Sequence, residues 1–137
     1  MTVRLTRLAM LRHLLLLMAV LAGTGCAAYR AHREGVALSD QGRIEEGLEK
    51  MQEAVKGAPD NPRYRMDLIN RRLNAVTVLL QSADVNLVES RLDEAEAQYS
   101  RVLKLDQDNV RAKSGLTQVL RARKHAELIT AANADFE

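Results

Sequence analysis

The feature that most restricts what this chain can fold into is a self-similarity at an offset of 48 residues. The stretch Gly42-Arg43-Ile44-Glu45-Glu46-Gly47-Leu48-Glu49-Lys50-Met51-Gln52-Glu53-Ala54-Val55-Lys56 aligns with Ser90-Arg91-Leu92-Asp93-Glu94-Ala95-Glu96-Ala97-Gln98-Tyr99-Ser100-Arg101-Val102-Leu103-Lys104. Each is followed by an acidic-Asn turn, Asp60-Asn61 and Asp108-Asn109. A weaker match continues at the same offset, setting Arg111 on Arg63, Leu116 on Leu68, Leu128 on Leu80 and Ala131 on Ala83. A chain that repeats at such a period builds supersecondary units that cannot bury their apolar faces alone, so neighbouring units stack.

The residue types make those units helical. Hydrophobic residues are 47% of the chain but aromatic ones only 3%, so the core is Leu, Ala, Val and Met, which favour helices. In the second unit Leu92, Ala95, Tyr99, Val102 and Leu103 recur at helical spacing. Gly47-Met51-Ala54 and Ala95-Tyr99-Val102 each set a small residue, a bulky one four later and a compact one three further on a single face. Two antiparallel helices approach to about 8–10 Å where side chains interlock in this way. Gly42 suits the turn between paired helices, and Asp93-Glu94 place acids at a helix start. Pro62 fits a first helical position, and no Gly or Pro interrupts Arg63 to Glu89. Read as one helix, this stretch spans about 42 Å, with Leu68, Ile69, Leu73, Val76, Leu79, Leu80, Ala83 and Leu87 as its apolar stripe.

These positions resemble the tetratricopeptide repeat. In the first unit Gly35 and Leu38 stand at the small and bulky positions of the first helix, and Pro59 closes the second. The second unit departs from the pattern with Ala83, Asn86 and Gln107. A standard repeat of this family has 34 residues, so this one carries an extra 14 or so, about four turns, in its first helix. The expected fold is all-α: an α-solenoid of antiparallel tetratricopeptide-type helix pairs with elongated first helices, preceded by a signal peptide. Its expected divisions are 1–25 (signal), 26–61 (first unit), 62–109 (second unit) and 110–137 (first helix of a third, incomplete unit), which suggests a fragment of a longer protein or, as the alternative, a partner that supplies the missing face. In the family, ligands meet the concave face of the first helices. By position that face holds Tyr29, His32, Val36, Ser39 and Asp40, then Thr77, Leu80, Asp84, Leu87 and Val88.

Ahead of the repeats, Arg4, Arg7 and Arg12 precede the apolar run Leu14 to Ala22, and Gly23-Thr24-Gly25 leads to Cys26. This is the charged, apolar, small-residue order of a secretory signal. Nine apolar residues fall short of the roughly 20 that cross a bilayer as a helix. The Cys placed after Gly resembles the lipobox of bacterial lipoproteins, although Gly23 stands where that family usually has Leu. The resemblance implies lipidation at Cys26, and Ala27 after it implies sorting to the periplasmic face of the outer membrane. Ordinary cleavage near Ala27 or Ala28, leaving a soluble protein, and an uncleaved anchor are the alternatives.

Charge excludes one class of partner. Taking Arg4, Arg7 and Arg12 from the 20 basic residues leaves 17 against 18 acids, and no nucleic-acid footprint survives. One cysteine permits neither an internal disulfide nor a thiolate metal set. His13, His32 and His125 have no Cys or carboxylate at metal-ligand spacing and read as solvated surface residues. Glu45-Glu46-Glu49 and Asp93-Glu94-Glu96 read as solvated helix faces with ion pairs. No phosphate loop, nucleophile elbow or catalytic triad is found, so neither catalysis, metal nor cofactor is expected. Two basic clusters remain, Arg63, Arg65, Arg71 and Arg72, and Arg111, Lys113, Arg121, Arg123 and Lys124. They read as solubilising faces of long helices or as a groove for an acidic partner.

A lipoprotein signal leading into tetratricopeptide-like units with long first helices resembles the N-terminal segment of outer-membrane secretins, the ring-forming channels of type II secretion and type IV pilus systems. The resemblance covers Ala28 to Phe136 and rests on motifs such as Gly42-Arg43-Ile44-Glu45-Glu46-Gly47 and Arg91-Leu92-Asp93-Glu94-Ala95. It implies a membrane-tethered scaffold that binds other proteins of a secretion or pilus assembly complex and that can form homo-oligomers. A standalone tetratricopeptide lipoprotein, acting as a pilotin or outer-membrane assembly factor, is the alternative.

Overall fold

A computed structural model describes residues 26–134, so the expected signal segment before Cys26 lies outside the described residues, as does Phe136. The described residues are helices joined by short turns, with no strand among them. The first, α1, occupies residues 26–40. After it come α2 (Ile44–Gly57), α3 (Pro62–Val88), α4 (Leu92–Leu105) and α5 (Val110–Ala134). The long helix expected from Pro62 to about Glu89 ends at Val88. The chain divides into two compact units, one to Arg71 and one from Arg72, with the boundary inside α3.

The offset of 48 reappears in the backbone. Helices α2 and α4 begin and end 48 residues apart. Gly42 N–H donates to the Ser39 carbonyl, as Ser90 N–H donates to Leu87. Arg43 N–H donates to Leu38, as Arg91 N–H donates to Asn86. At the far ends, Ala58 N–H donates to Ala54 and Asp106 N–H to Val102. The turn before each short helix needs a left-handed residue, Gly42 at φ 82° and Ser90 at φ 59°. Glycine adopts that conformation freely, whereas a Cβ makes it strained. Asn61 and Asn109 cap the long helices: their Oδ1 atoms accept from Arg63 N–H and Ala112 N–H, both at 3.0 Å. These bonds satisfy amides that the first helical turn leaves without carbonyl partners.

In the first unit, contact between α1 and α2 is set by glycine. A Cβ on Gly35 would fall 2.6 Å from the Gly47 carbonyl oxygen and 2.6 Å from Met51 Cγ, and one on Gly47 would fall 2.2 Å from Ser39 Oγ. Met51 and Ala54 are fully buried, and Ala28, Leu48 and Leu68 are buried in the same unit. In the second unit, Val76, Leu79, Leu80 and Ala83 of α3 form one core with Ala95, Tyr99 and Val102 of α4 and Ala112 and Val119 of α5. Gly115 lies under the Tyr99 ring, where a Cβ would come within 2.3 Å of Cζ.

Two expectations need correction. His32 is not a solvated surface residue: it is 7% exposed. It sits one turn from Ala28 and Gly35 on the packed face of α1, stacks on Tyr64 with centroids 4.5 Å apart, and bonds Asp67 Oδ2 through Nε2 at 2.8 Å. A buried ring loses little when its polar edge keeps a hydrogen-bond partner. Ile69 and Leu73, assigned to the apolar stripe of α3, are exposed, as is Met66. Leu68 is buried in the first unit, and Val76, Leu79 and Leu80 in the second. Ile69 and Leu73 lie to the side of these buried sets on the helix. Asn86, a departure from the repeat pattern, is buried and accepts from Arg91 Nε through Oδ1 at 2.8 Å.

Candidate interaction surface

The positions expected to meet a partner divide by burial. In the first unit Tyr29 is exposed, with the Arg33 guanidinium 6.0 Å above its ring. Val36 is half-buried. His32 and Ser39 point inward, Ser39 Oγ donating to the Gly35 carbonyl at 2.9 Å. Such a bond within one turn spends the hydroxyl on the helix itself. Asp40 is exposed and accepts from Arg71 Nη1 at 2.8 Å.

In the second unit Thr77 is exposed, its hydroxyl donating to the Leu73 carbonyl at 2.9 Å. Leu80 is in the core, Leu87 is packed against it, and Val88 is exposed. Asp84 joins three helices: its Oδ1 accepts from Tyr99 Oη of α4 at 2.5 Å, and its Oδ2 pairs with Arg111 of α5. Burial and then the neighbouring Asp84 carboxylate push the Tyr99 phenol up to about 12, because both oppose a second negative charge. The residues on this list with accessible side chains and no ion pair among the described residues are therefore Tyr29, Thr77, Val88 and, in part, Val36 and Leu87.

The basic clusters are largely committed to neighbours. Arg63 lies 3.9 Å from Asp67 and Arg71 pairs with Asp40. Arg111 pairs with Asp84, and Lys113 with Asp108 at 3.1 Å. Arg123 reaches both Asp93 and Glu96 of α4. Arg65 and Arg72 of α3, and Arg121 and Lys124 of α5, make no ion pair among the described residues. Exposed pairs of this kind are screened by solvent and add little to stability.

Sequence reasoning missed Gly115, His32 as a packing residue, and the Asp84–Arg111 tie. A glycine inside an otherwise regular helical stretch was the one available signal for Gly115, since its cost in a helix needs a packing reason. The acidic clusters behave as solvated faces, with Arg43 paired to Glu46 and Lys50 to Glu53. Among the described residues no group of three His, Cys, Asp or Glu could hold a metal ion, and no helix is long and apolar enough to cross a membrane. Cys26 is exposed at the start of α1. Comparison with protein-family models, curated proteins and solved structures finds no match to this chain.

Proposed function

We propose that the chain is a tetratricopeptide-type scaffold for protein–protein interaction, lipid-anchored at Cys26 to the periplasmic face of the outer membrane and serving a protein secretion or pilus assembly machine. The observation that carries the scaffold reading is the recurrence, 48 residues apart, of helix limits, turn hydrogen bonds and asparagine caps. Stacked units of this kind present extended surfaces and need no chemistry of their own. The anchor reading is supported by the order of charged, apolar and small residues before Cys26, the only cysteine. Two acyl signals hold a protein at a membrane far better than one.

The test has two arms. In a Gram-negative host grown with an alkyne fatty acid, the wild-type chain takes up label and fractionates with membranes, whereas Cys26→Ser does neither; equal labelling of the two would remove the anchor. Cross-linking in intact envelopes followed by mass spectrometry recovers a defined partner set from the wild-type chain. Recovery of nothing beyond the background of an unrelated lipoprotein would remove the scaffold reading.

A further inference from the structure

We infer that the end of the first unit that carries Cys26 is a membrane-facing surface, seated on the headgroups of anionic phospholipids. The inference rests on the anchor reading and deepens it: the acyl chains hold the protein at the bilayer, and this surface fixes how the unit stands on it.

The helix directions bring one set of ends together. Helix α2 runs back along α1, since Gly47 meets Gly35 and Ser39 while Gly57 meets Ala28. Helix α3 runs in the direction of α1, with Tyr64 and Asp67 at His32 and Arg71 at Asp40. The start of α1, the last turn of α2 and the start of α3 therefore share one end. On α1, Ala28, His32 and Gly35 are buried. Cys26, Tyr29, Arg30 and Arg33 fall at i, i+3, i+4 and i+7, turned away from that packed face, and all are exposed. The only cysteine thus begins a stripe of one aromatic and two basic side chains.

Charge along the unit says what the stripe meets. Arg30, Arg33, Lys56 and Arg65 lie at this end, exposed and with no ion pair among the described residues. Most acids near them are committed: Asp67 holds His32 and lies 3.9 Å from Arg63, and Glu34 and Glu53 act on Lys50. Asp60 is exposed. At the other end the sign reverses, with Asp40, Glu45, Glu46 and Glu49 against Arg43 and Arg71. An anionic surface attracts the first end and repels the second. Tyr29 suits the same boundary, an apolar ring with a polar tip, and so do the long stems of the arginines. An acidic protein would also satisfy the arginines, but acyl chains on Cys26 put a bilayer within reach of the next two turns at high effective concentration.

The test couples the mature chain, residues 26–137, through the thiol of Cys26 to a single tetradecyl maleimide. One such chain binds bilayers only marginally, so the protein's own contribution is readable as partition onto sedimenting vesicles. Each basic side chain near an anionic surface adds roughly fivefold. Phosphatidylglycerol-containing vesicles are therefore expected to bind the conjugate at least about a hundredfold more tightly than pure phosphatidylcholine. In concentrated salt, where screening acts within about 3 Å, the preference collapses. Arg30→Gln with Arg33→Gln and Lys56→Gln, all exposed, reduces it to about tenfold or less. Lys104→Gln with Arg121→Gln and Lys124→Gln removes the same charge from the second unit and leaves the preference intact. Since the chain has no Trp, Tyr29→Trp and Gln41→Trp report position. Brominated lipids quench the first and spare the second, about 18 Å further along. Equal binding to both vesicle types, equal loss in the second-unit variant, or equal quenching at both positions would each overturn the proposal. So would polyglutamate that strips the conjugate from anionic vesicles at equal charge, since an acidic protein is then the occupant. The alkyl chain is attached by chemistry and not by a cell. Failure here with fatty-acid labelling intact therefore strikes only the headgroup surface, and loss of labelling with this preference intact strikes only the anchor.

Discussion

Gly115→Ala separates helix propensity from packing in a single methyl group. On an exposed helix the change stabilises by about 1 kcal/mol, because alanine loses less backbone freedom on folding. At Gly115 the new Cβ would stand 2.3 Å from Tyr99 Cζ and 2.5 Å from both Cε atoms, where carbon contacts settle at about 3.5–4.0 Å. The ring must retreat by more than about 1 Å. It has little room to do so: Tyr99 is 1% exposed and its hydroxyl is held by Asp84. Overpacking of this kind costs about 1–3 kcal/mol, and a ring that moves also weakens a hydrogen bond to a charged group, worth about 1.5–3 kcal/mol. Set against the propensity gain, the expected net loss is about 1–3 kcal/mol, or a fall in Tm of roughly 4–8 °C per kcal/mol for a domain of this size. Urea and thermal unfolding followed by far-ultraviolet circular dichroism measure it. Gly57→Ala is the comparison: its Cβ would lie 3.2 Å from the Cβ of Ala28 at an exposed helix end, a milder approach, and it should cost less than Gly115→Ala. A Tyr99→Leu background should relieve most of the Gly115→Ala penalty, a coupling of 1 kcal/mol or so. If Gly115→Ala raises Tm as it would on a bare helix, the proposed contact between α4 and α5 is wrong.

Three further outcomes are expected. Ala95→Leu, at a fully buried position, should destabilise by about 1–3 kcal/mol through overpacking; an unchanged melting temperature would contradict the second core. Since the folded phenol of Tyr99 is raised to about 12 from 10, its contribution is complete below pH 10 and is lost as pH climbs through 12. On the order of 2–3 kcal/mol should disappear across that window, and a Tyr99→Phe chain with the same alkaline loss would disprove this. Ser90→Gly relieves the left-handed backbone at φ 59° and should raise stability by about 0.5–1 kcal/mol, net of the extra freedom of the unfolded chain; a lower Tm would show that the hydroxyl matters more than the backbone.

The helices were legible because their signals are local and doubled. Pro62, Asn61 and Asn109 mark starts; Gly47-Met51-Ala54 and Ala95-Tyr99-Val102 mark the packed faces; each is confirmed by its copy 48 residues away. Burial of His32 was not legible, because it depends on Tyr64 and Asp67 arriving from another helix. Ile69 and Leu73 were assigned inward by periodicity, which finds a stripe but not how wide a neighbour's footprint is. The interaction surface was read least well. Transferring concave-face positions by register placed His32, Ser39 and Leu80 on a surface, yet all three are buried, since register fixes the face of a helix and not whether another helix covers it.

The ties between helices are all short in sequence. His32 to Asp67 spans 35 residues, Asp40 to Arg71 31, Asp93 to Arg123 30 and Asp84 to Arg111 27. Closing loops of this length costs little chain entropy, and each doubling would add only about 0.6 kcal/mol. A topology built from such near contacts sits at the low contact-order end, where helical domains fold in microseconds to milliseconds. Each unit can therefore form in the order in which its helices emerge, without waiting for a distant strand or a closing terminus, and little apolar surface is left open long enough to aggregate.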